Sequence, residues 1–370
     1  MKFVALRSNI KEAINAVEKA VTDTANLPIL RNILIEAKDG VITFTATNLE
    51  IAICRKVVGK VIEEGRIAPP LTLISSLIAN IQSDRLNFEA KGDNLEVTTD
   101  NYSAVINGLP ADDFPITPSV GDGEKYITIK GAILKEAIQQ VSVASQFSDL
   151  RPELNTVLCN FSLENIVLAA TDGFRLSEKT LPSNFFISKE KEPFKILIPL
   201  RAALEIARVI NDEEEVLLFH DENQILVRTE TIQIISRLIE GNFPDYSGII
   251  PKEFSAEVVV NRDEFTSAIR LAGVFGQKNG EVRMRVHPNK KAVEIASADQ
   301  ALGENMHTLP AKVKGEIGDT FFNWRYLGDA MKGIKSEEVF LGLQEEAGPA
   351  LIRAAVDNSY FYILKPILKT

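Results

Sequence analysis

Cysteine and histidine are scarce in this sequence of 370 residues, which contains two cysteines and three histidines. Cys54 and Cys159 are far apart and have no histidine cluster beside them, so the sequence offers neither a disulfide framework nor a zinc pattern. His220, His287 and His307 fall in unrelated parts of the chain, without metal-ligand spacing. We therefore expect no bound metal and a reducing, cytoplasmic compartment.

Long apolar runs are also missing. The N-terminal stretch MKFVALRSNIKEAINAV is interrupted by Arg7, Asn9, Lys11 and Glu12, and no stretch approaches the length of about 18 apolar residues that marks a membrane span. Hydrophobic residues make up 45% of the chain and charged residues 25%, which is typical of a folded soluble protein. We expect two or three domains, no signal peptide and no membrane contact.

Motifs for catalysis and nucleotide binding are absent as well. The stretch GDGEKY has only the first two glycines of a dinucleotide fingerprint, and no Walker-type Gly-Lys-Ser/Thr occurs. Acidic pairs such as Asp112-Asp113 and Glu345-Glu346 fall in turn-rich sequence, where a solvated surface is the ordinary interpretation. Cys159 lies in the apolar stretch VLCNF, which is typical of a buried residue rather than a nucleophile. The sequence predicts a protein without catalytic residues and without a cofactor.

What the sequence does contain is a repeat of domain size. Three segments, KFVALRSNIKEAINAV, KYITIKGAILKEAIQQV and AEVVVNRDEFTSAIRLA, each read as a short strand followed by an amphipathic helix. A strand end followed by Asn or Asp recurs with them: Asn48, Asp172 and Asp299 are 124 and 127 residues apart. These two markers predict three domains, at residues 1–124, 125–250 and 251–370.

Each repeat also contains a second helix pattern, and alternating strands fill the remainder. The six predicted helices cover residues 8–22, 70–82, 130–146, 199–210, 262–278 and 323–335, the last with Asn323 as a possible cap. Two strand-helix-strand halves in each repeat predict an α+β fold, with antiparallel sheets and two helices in every domain.

Charge is distributed unevenly between the predicted elements. The net charge of -10 argues against a nucleic-acid partner, but the six helices sum to +5 and the remainder therefore to -15. If the helices line one surface, that surface attracts phosphates without reading sequence. The candidate DNA-facing residues are Lys11, Lys19, Lys135, Arg201, Arg208, Arg270, Arg325, Lys332 and Lys335. The alternative is that they are merely solvated helix positions.

Five stretches resemble one family over the full length of the chain: LPILRNILIEAKDG at 27–40, LPADDFP at 109–115, ATDGFRL at 170–176, EGNFPDY at 240–246 and YILKPILK at 362–369. Their order on a threefold repeat is similar to that of the bacterial sliding clamps, the beta subunits of the replicative DNA polymerase. The resemblance implies a homodimeric ring of six clamp-type domains, with sheets outside and helices inside, that encircles duplex DNA for processive synthesis.

The resemblance also implies a pocket that takes a short clamp-binding motif from the polymerase alpha subunit, the clamp loader and repair polymerases. By motif, its residues here are Arg151, Leu154, Thr171, Gly173, Phe174, Arg175, Leu176, Pro244, Ile249, Pro349, Ile363, Lys365, Pro366 and Ile367. Phe174, Gly248 and Lys365 stand where the family often has other residues, which implies an altered preference for partner motifs.

A closed ring of two copies needs two different contacting surfaces, since a head-to-tail joint is heterologous. We expect Ala104 and Ile106 of the first domain to meet Val274 and Phe275 of the third domain of a second copy. Two alternatives from other classes remain open for the sequence: a metal-dependent hydrolase with a site in its acidic loops, and a passive repeat scaffold.

Overall fold

The computed structural model of the chain describes residues 1–21, 27–115, 125–147, 151–276, 280–345 and 348–368. The chain forms two compact units. One comprises Met1–Ala132, Phe186–Lys191 and Arg208–Leu238, and the other comprises Ile133–Phe185, Glu192–Ala207 and Ile239–Thr370. The predicted middle domain therefore contributes strands to both units, and its predicted start at residue 125 adjoins a segment outside the described residues.

Six α-helices lie in the described ranges: α1 Arg7–Val17, α2 Leu71–Asn80, α3 Gly131–Ser142, α4 Leu200–Val209, α5 Arg262–Phe275 and α6 Trp324–Gly333. Each falls on one of the six predicted segments, so these predictions are confirmed. The predicted cap is confirmed too, since the Asn323 side chain accepts a hydrogen bond of 2.9 Å from the Arg325 amide. None of the described helices is long and apolar enough to cross a membrane.

Twenty-six β-strands fill most of the remaining described sequence. The first thirteen are β1 Lys2–Leu6, β2 Leu34–Lys38, β3 Val41–Thr47, β4 Ile51–Val57, β5 Gly59–Glu63, β6 Gly65–Ile67, β7 Arg85–Lys91, β8 Asn94–Thr98, β9 Ser103–Asn107, β10 Ile127–Lys130, β11 Thr156–Phe161, β12 Asn165–Thr171 and β13 Arg175–Pro182. The others are β14 Phe186–Ser188, β15 Phe194–Pro199, β16 Glu215–His220, β17 Gln224–Arg228, β18 Ile232–Arg237, β19 Ala256–Asn261, β20 Glu281–His287, β21 Ala292–Asp299, β22 Gly303–Gly315, β23 Thr320–Asn323, β24 Glu338–Leu343, β25 Ala350–Ala354 and β26 Tyr360–Leu364.

The first unit contains two sheets, of strand orders β5-β1-β7-β8-β9 and β14-β10-β16-β17-β18-β4-β3-β2-β6. The larger sheet joins the first and second repeats by pairing β18 with β4, where Ile232 faces Arg55. The second unit contains one sheet of order β15-β11-β12-β13-β26-β25-β24-β19-β22-β21-β20-β23, which joins the second and third repeats by pairing β13 with β26. The pairings among the described strands are antiparallel, as predicted.

The repeated Asn or Asp has the same structural role in all three repeats. The Asn48 Oδ1 accepts from the amides of Glu50 and Ile51 at 3.0 and 2.9 Å. Asp172 and Asp299 do likewise, each accepting through Oδ1 from the amides two and three residues ahead, at distances between 2.8 and 3.1 Å. This side chain closes the turn between two strands, which is the reason that the sequence marker recurs.

Apolar faces of the helices pack on the sheets within each unit. In the second unit, Phe265 and Ile269 of α5 are buried in one cluster with Val258 and Phe322 of the sheet. In the first unit, the rings of Phe3 and Phe88 stack with centroids 4.7 Å apart. These packed faces fix α5 and α6 on one side of their sheet, with polar side chains left exposed on the helices.

Candidate functional site

The turn at residues 170–176 lies beside the C-terminal strand of the chain. In the pairing of β13 with β26, Arg175 faces Leu364 and Leu176 faces Ile363. The Lys365 amide donates to the Phe174 carbonyl at 3.0 Å, so the backbone pairing extends by one hydrogen bond beyond the ends of the two strands. Gly173 adopts a φ of 89°, a conformation that strains other residues. Two stretches that are distant in sequence are thus held together by backbone hydrogen bonds.

Arg175 is a buried cation at this turn, and its side chain is only 7% exposed. Its Nε donates to Asp172 Oδ2 at 2.9 Å and its Nη1 to Asp329 Oδ2 of α6 at 2.5 Å. The guanidinium also lies 4.1 Å from the ring centroid of Tyr326. Burial disfavours the charge, but the neighbouring Tyr362, Asp329 and Asp172 outweigh burial and raise the pKa of Arg175.

Asp329 serves two cations at once. Besides Arg175, its carboxylate accepts from Lys332 Nζ at 2.6 Å, and Lys332 is 69% exposed where Arg175 is buried. The buried Arg175–Asp329 pair is therefore needed for the folded structure, while the exposed Lys332–Asp329 pair contributes little stability. Arg175, which is also a predicted pocket residue, thus holds α6 to the turn through its Nε and Nη1, and its place in a peptide pocket stays a prediction.

The segment 239–254 covers the same part of the sheet with an apolar cluster. Phe243 is buried together with Leu176 and Ile363, and Tyr246 and Ile250 pack against them. The Tyr246 hydroxyl donates to Glu178 Oε2 at 2.7 Å. Burial raises the pKa of the Glu178 carboxyl, and the hydrogen bond from Tyr246 acts in the opposite direction. The covering segment is thus attached by apolar burial and by one hydrogen bond to a half-buried carboxylate.

The predicted pocket residues form two groups by exposure: the buried ones, here called the floor, and the exposed or half-buried ones, here called the rim. Leu154, Thr171, Arg175, Leu176 and Ile363 are buried, with Leu176 and Ile363 only 1% exposed, so they underlie the surface. The residues that are exposed or half-buried are Arg151, Gly173, Phe174, Pro244, Ile249, Pro349, Lys365, Pro366 and Ile367. Phe174 is 63% exposed and Ile249 42% exposed, which leaves these two as the large apolar side chains that a ligand could reach.

A cavity of about 520 Å³ adjoins the C-terminal end of this rim. Pro366, Ile367 and Leu368 line it together with Phe321 and Gln344. The Ile367 amide donates to the Phe321 carbonyl at 2.7 Å, which fixes the segment after β26 against β23. This cavity includes two of the predicted pocket residues, Pro366 and Ile367, of which Ile367 is bonded to the sheet.

Three of the nine predicted DNA-facing residues converge. Arg270 of α5 and Arg325 and Lys332 of α6 line a single cavity of about 400 Å³ between these two helices. Lys11 and Lys19 are exposed on the first unit, and Lys19 lies 3.3 Å from Glu18. Lys135 and Arg201 are half-buried on α3 and α4.

Arg208 and Lys335 are tied to other helices of the fold. Arg208 donates to the carbonyls of Asn15 and Ala16 at 2.9 and 3.1 Å, so its guanidinium holds the last turn of α1. Lys335 lies 3.1 Å from Glu136 in an ion pair. Arg208 thus satisfies helix-end carbonyls that otherwise lack donors, and its assignment as a DNA-facing residue stays a prediction.

Of the residues predicted to join two copies, Ala104 and Ile106 lie on β9 and Val274 and Phe275 lie at the end of α5. Two strand edges near these residues are open. Among the described strands β9 pairs only with β8, and residues 303–310 of β22 pair only with β21, since β19 pairs with the other half of β22. Such edges are templates for pairing with another chain. Val274 is 54% exposed. Phe275 is half-buried and lines a cavity of about 570 Å³ together with Met306.

Ile106 is a core-facing residue of β9 in this chain. Its side chain is 2% exposed, whereas that of Val105 is 64% exposed. Side chains alternate between the two faces of a strand, so Val105 and not Ile106 points outward, and the contact predicted for Ile106 stays a prediction. Ala104 is half-buried. The outward residues of β9 are Ser103, Val105 and Asn107, none of which carries a charge that would repel a second strand.

Several residues of the site escaped sequence reasoning. Tyr326, Asp329 and Tyr362 surround Arg175, and Phe243 and Tyr246 cover Leu176. The motifs that contain Phe243, Tyr246 and Tyr362 were recognised, but their aromatic side chains were not assigned to the site. No local pattern in the sequence distinguishes these residues, because their roles follow from contacts with elements that are distant in sequence.

Comparison with known proteins identifies related sequences along nearly the entire chain. Family models for the DNA polymerase III beta subunit match in order: the N-terminal domain at residues 1–118, the central domain at 128–245 and the C-terminal domain at 247–367. The chain is 26% identical over 380 residues to a beta sliding clamp of Bacillus subtilis and 25% identical over 376 residues to one of Synechococcus elongatus, with 99% of each chain covered.

Solved structures show the same fold. The DNA polymerase sliding clamp from Bacillus subtilis superposes with a TM-score of 0.94 at 25% identity, with 100% of both chains covered. A sliding clamp from Pseudomonas aeruginosa, solved bound to griselimycin, superposes with a TM-score of 0.93 at 24% identity and equal coverage. The three clamp-type domains, built of antiparallel sheets and helices, are therefore present in this chain.

A pair of variants tests the unequal roles of the two cations on Asp329. Asp329→Asn weakens the partner of a buried guanidinium, and we expect the free energy of unfolding to fall by about 2 to 3 kcal/mol. Lys332→Ala removes the exposed partner of the same carboxylate, and we expect a loss below about 1 kcal/mol. Urea unfolding of the full chain, followed by circular dichroism, measures both. Equal losses in the two variants would contradict the assignment.

Proposed function

We propose, on the premise that the chain belongs to the DNA polymerase III beta subunit family and is a sliding clamp, that two copies close head to tail into a ring around duplex DNA. The observation that carries this proposal is the match of all three family domain models in consecutive order on a threefold repeat. The ring would tether the polymerase alpha subunit and repair polymerases in the cytoplasm, and it would have no catalytic chemistry of its own.

Encirclement would make strong DNA contacts unnecessary. A ring that is closed around the duplex is held by topology, so a few phosphate contacts by lysine and arginine can exchange as the ring moves. The net charge of -10 then does not oppose the function, because the cations need only line the surface that faces the duplex. Lys11 and the α5–α6 cations Arg270, Arg325 and Lys332 are the residues that we propose for this contact.

Loading on circular DNA tests encirclement. The full chain, loaded by a clamp loader on a nicked circle, should stay bound in high salt and should be lost when the circle is cut, since a ring slides off a free end. Gel filtration of protein with DNA before and after linearisation measures retention. Equal retention on circular and linear DNA would contradict encirclement and would favour ordinary surface binding.

The ring would close through the two open strand edges. We propose that β9 of one protomer pairs with residues 303–310 of β22 of its partner, with Val105 packing near the exposed Val274 and Met306. Uncharged, exposed apolar residues beside an unpaired backbone edge favour such an addition over a solvated edge.

Charged substitutions test this joint. Val105→Asp and Val274→Asp should each shift the protein from dimer to monomer at micromolar concentration, because each would place a carboxylate at the joint. Val58→Asp is the matched control, since Val58 is 78% exposed on the same unit as Val105. Sedimentation velocity measures the mass. A dimer that persists in both variants would exclude these edges.

For partner proteins we propose a docking surface formed by the rim described above. An extended apolar peptide could bury its side chains against Phe174, Ile249 and the cavity beside Ile367, above the floor of Leu176 and Ile363. A sliding clamp from Pseudomonas aeruginosa has been solved bound to griselimycin, which supports the presence of a ligand site on proteins of this fold.

Exposed residues of the rim give the sharpest test, because replacing the buried Leu176 would disturb the fold. Phe174→Asp and Ile249→Asp should each weaken binding of a short clamp-binding peptide by about tenfold or more, since each removes apolar burial. Val356→Asp is the control, because Val356 is 91% exposed outside the rim. Fluorescence anisotropy of a labelled peptide measures affinity. Unchanged affinity in both rim variants would exclude this surface.

A further inference from the structure

The turn between β3 and β4, in the first unit, has the same backbone plan as the turn at 170–176. In the second unit, the hydrogen bond from the Lys365 amide to the Phe174 carbonyl extends the pairing of the strands. In the first unit, the Arg237 amide donates to the Glu50 carbonyl at 2.9 Å, at the same step beyond the paired strands β18 and β4. The threefold repeat thus places a similar turn beside a strand of the following repeat in both units.

The hydrogen bonds inside the two turns also match. Thr47 Oγ1 donates to the Ile51 carbonyl at 3.0 Å and accepts from the Leu49 amide at 3.0 Å. Thr171 makes the two equivalent bonds in the second unit, at 2.6 and 3.1 Å. Because the same bonds hold both backbones, residues at equal steps along the two turns occupy equivalent positions.

The first unit also has an equivalent of the apolar floor. Ala52 faces Ile235 across β4 and β18, as Leu176 faces Ile363 across β13 and β26. Ala52 is 3% exposed and Ile235 is 8% exposed. The turn of the first unit therefore stands above a buried apolar pair, as the turn at 170–176 does.

The exposed residues differ between the two turns. Leu49 takes the position of Gly173 and is 50% exposed. Leu27 directly precedes the 3₁₀ helix before β2, as Arg151 precedes the one before β11, and Leu27 is also 50% exposed. The first unit thus exposes two large apolar side chains where the second unit has a glycine and an arginine.

Leu49 occupies its position in a strained conformation. Its φ is 76°, in the left-handed region that favours glycine and disfavours a bulky side chain. Gly173 at the equivalent step shows that the turn itself needs no side chain there. Strain of this kind concentrates at ligand sites. A ligand that covers the exposed Leu49 side chain explains why leucine stands at this position, whereas the fold alone does not.

Charged residues beside the two leucines carry a net positive charge. Arg237 is exposed next to the turn, and Arg31 is exposed at the end of the 3₁₀ helix that Leu27 precedes. Neither arginine has an ion-pair partner among the residues that the structure describes. Glu50 is the one acidic residue of the turn at 46–52. Two arginines against one glutamate favour a ligand with a carboxylate, which an arginine can hold through two hydrogen bonds.

We propose that the exposed residues Leu27, Arg31, Leu49, Glu50 and Arg237, here called the first-unit rim, form a second docking surface for a short, extended, acidic and apolar peptide of a partner protein. Its apolar side chains would cover the two leucines, and a carboxylate would pair with Arg237. The inference goes beyond the proposed function and takes from it only the mode of binding. A ring of two copies would then offer two kinds of docking surface that select peptides of different charge.

A titration in which the other rim is inactivated tests the site. The probe is a fluorescein-labelled hexapeptide of alternating leucine and aspartate, added to the full chain with Phe174→Asp and Ile249→Asp. Adding Leu49→Asp should weaken binding by about tenfold or more, because it removes apolar burial and repels the ligand. Val41→Asp is the control, since Val41 is 42% exposed at the other end of β3. Fluorescence anisotropy measures affinity.

The outcomes separate this proposal from the docking surface of the second unit. No binding of the hexapeptide to the chain with Phe174→Asp and Ile249→Asp, or equal affinity with and without Leu49→Asp, would overturn the first-unit rim. The clamp-binding peptide tests the other rim independently, and its result leaves this one unaffected. A lower mass of the Leu49→Asp variant in sedimentation velocity would identify a second copy of the chain as the occupant, and would also overturn the proposal.

Reversing one charge tests the acidic character of the ligand. Arg237→Glu should weaken binding of the leucine-aspartate hexapeptide and strengthen binding of a leucine-lysine hexapeptide, because the charge that faces the ligand changes sign. Lys38→Glu makes the same change at an exposed residue of the same unit outside the first-unit rim, and should leave both affinities nearly unchanged. Equal effects of the two variants would overturn the assignment of an acidic ligand.

Leu49→Gly separates binding from stability. Glycine relieves the strained φ, so the midpoint of urea unfolding should not fall, whereas binding of the leucine-aspartate hexapeptide should weaken. Circular dichroism in urea and anisotropy measure the two effects on the same protein. A lower midpoint with unchanged affinity would assign Leu49 to the fold and overturn its role in docking.

Discussion

The pairing of β13 with β26 is the constraint on which the candidate docking region depends. Five residue pairs, from Arg175 with Leu364 to Lys179 with Tyr360, join strands that are more than 180 residues apart in sequence. Closing so long a loop costs conformational entropy, and the burial of Leu176 and Ile363 beneath Phe243 offsets part of that cost. Without this ladder, the turn at 170–176 and the segment after β26 would have no reason to meet.

Local chemistry explains why so much of the fold could be predicted from the sequence. Helical periodicity located all six described helices, because an apolar stripe must face a sheet wherever the chain is folded. The recurring Asn or Asp located the repeat, since an Asx turn at Asn48, Asp172 and Asp299 is decided by the side chain and the two amides that follow. Neither inference needed knowledge of distant contacts.

Contacts between residues that are distant in sequence decide the features that the sequence did not predict. Ile106 and its neighbour Val105 are both apolar, and only the pairing of β9 with β8 determines which of them faces the core. The partners of Arg175 and Arg208 also lie on other elements, at Asp329 of α6 and at the end of α1, and no pattern beside either arginine identifies them. The convergence of Arg270, Arg325 and Lys332 likewise follows from the packing of α5 on α6, which no local pattern reports. The pocket, DNA-facing and interface assignments stay predictions.

Asp329 gives the molecule a shared counter-ion. The same carboxylate accepts from Arg175 beneath the 170–176 turn and from Lys332 beside the cavity between α5 and α6. A change that moved Asp329 away from one cation would alter its attraction to the other. By thermodynamic reciprocity, an event at the turn that did so would change the affinity of an event at the cavity by the same factor as the reverse.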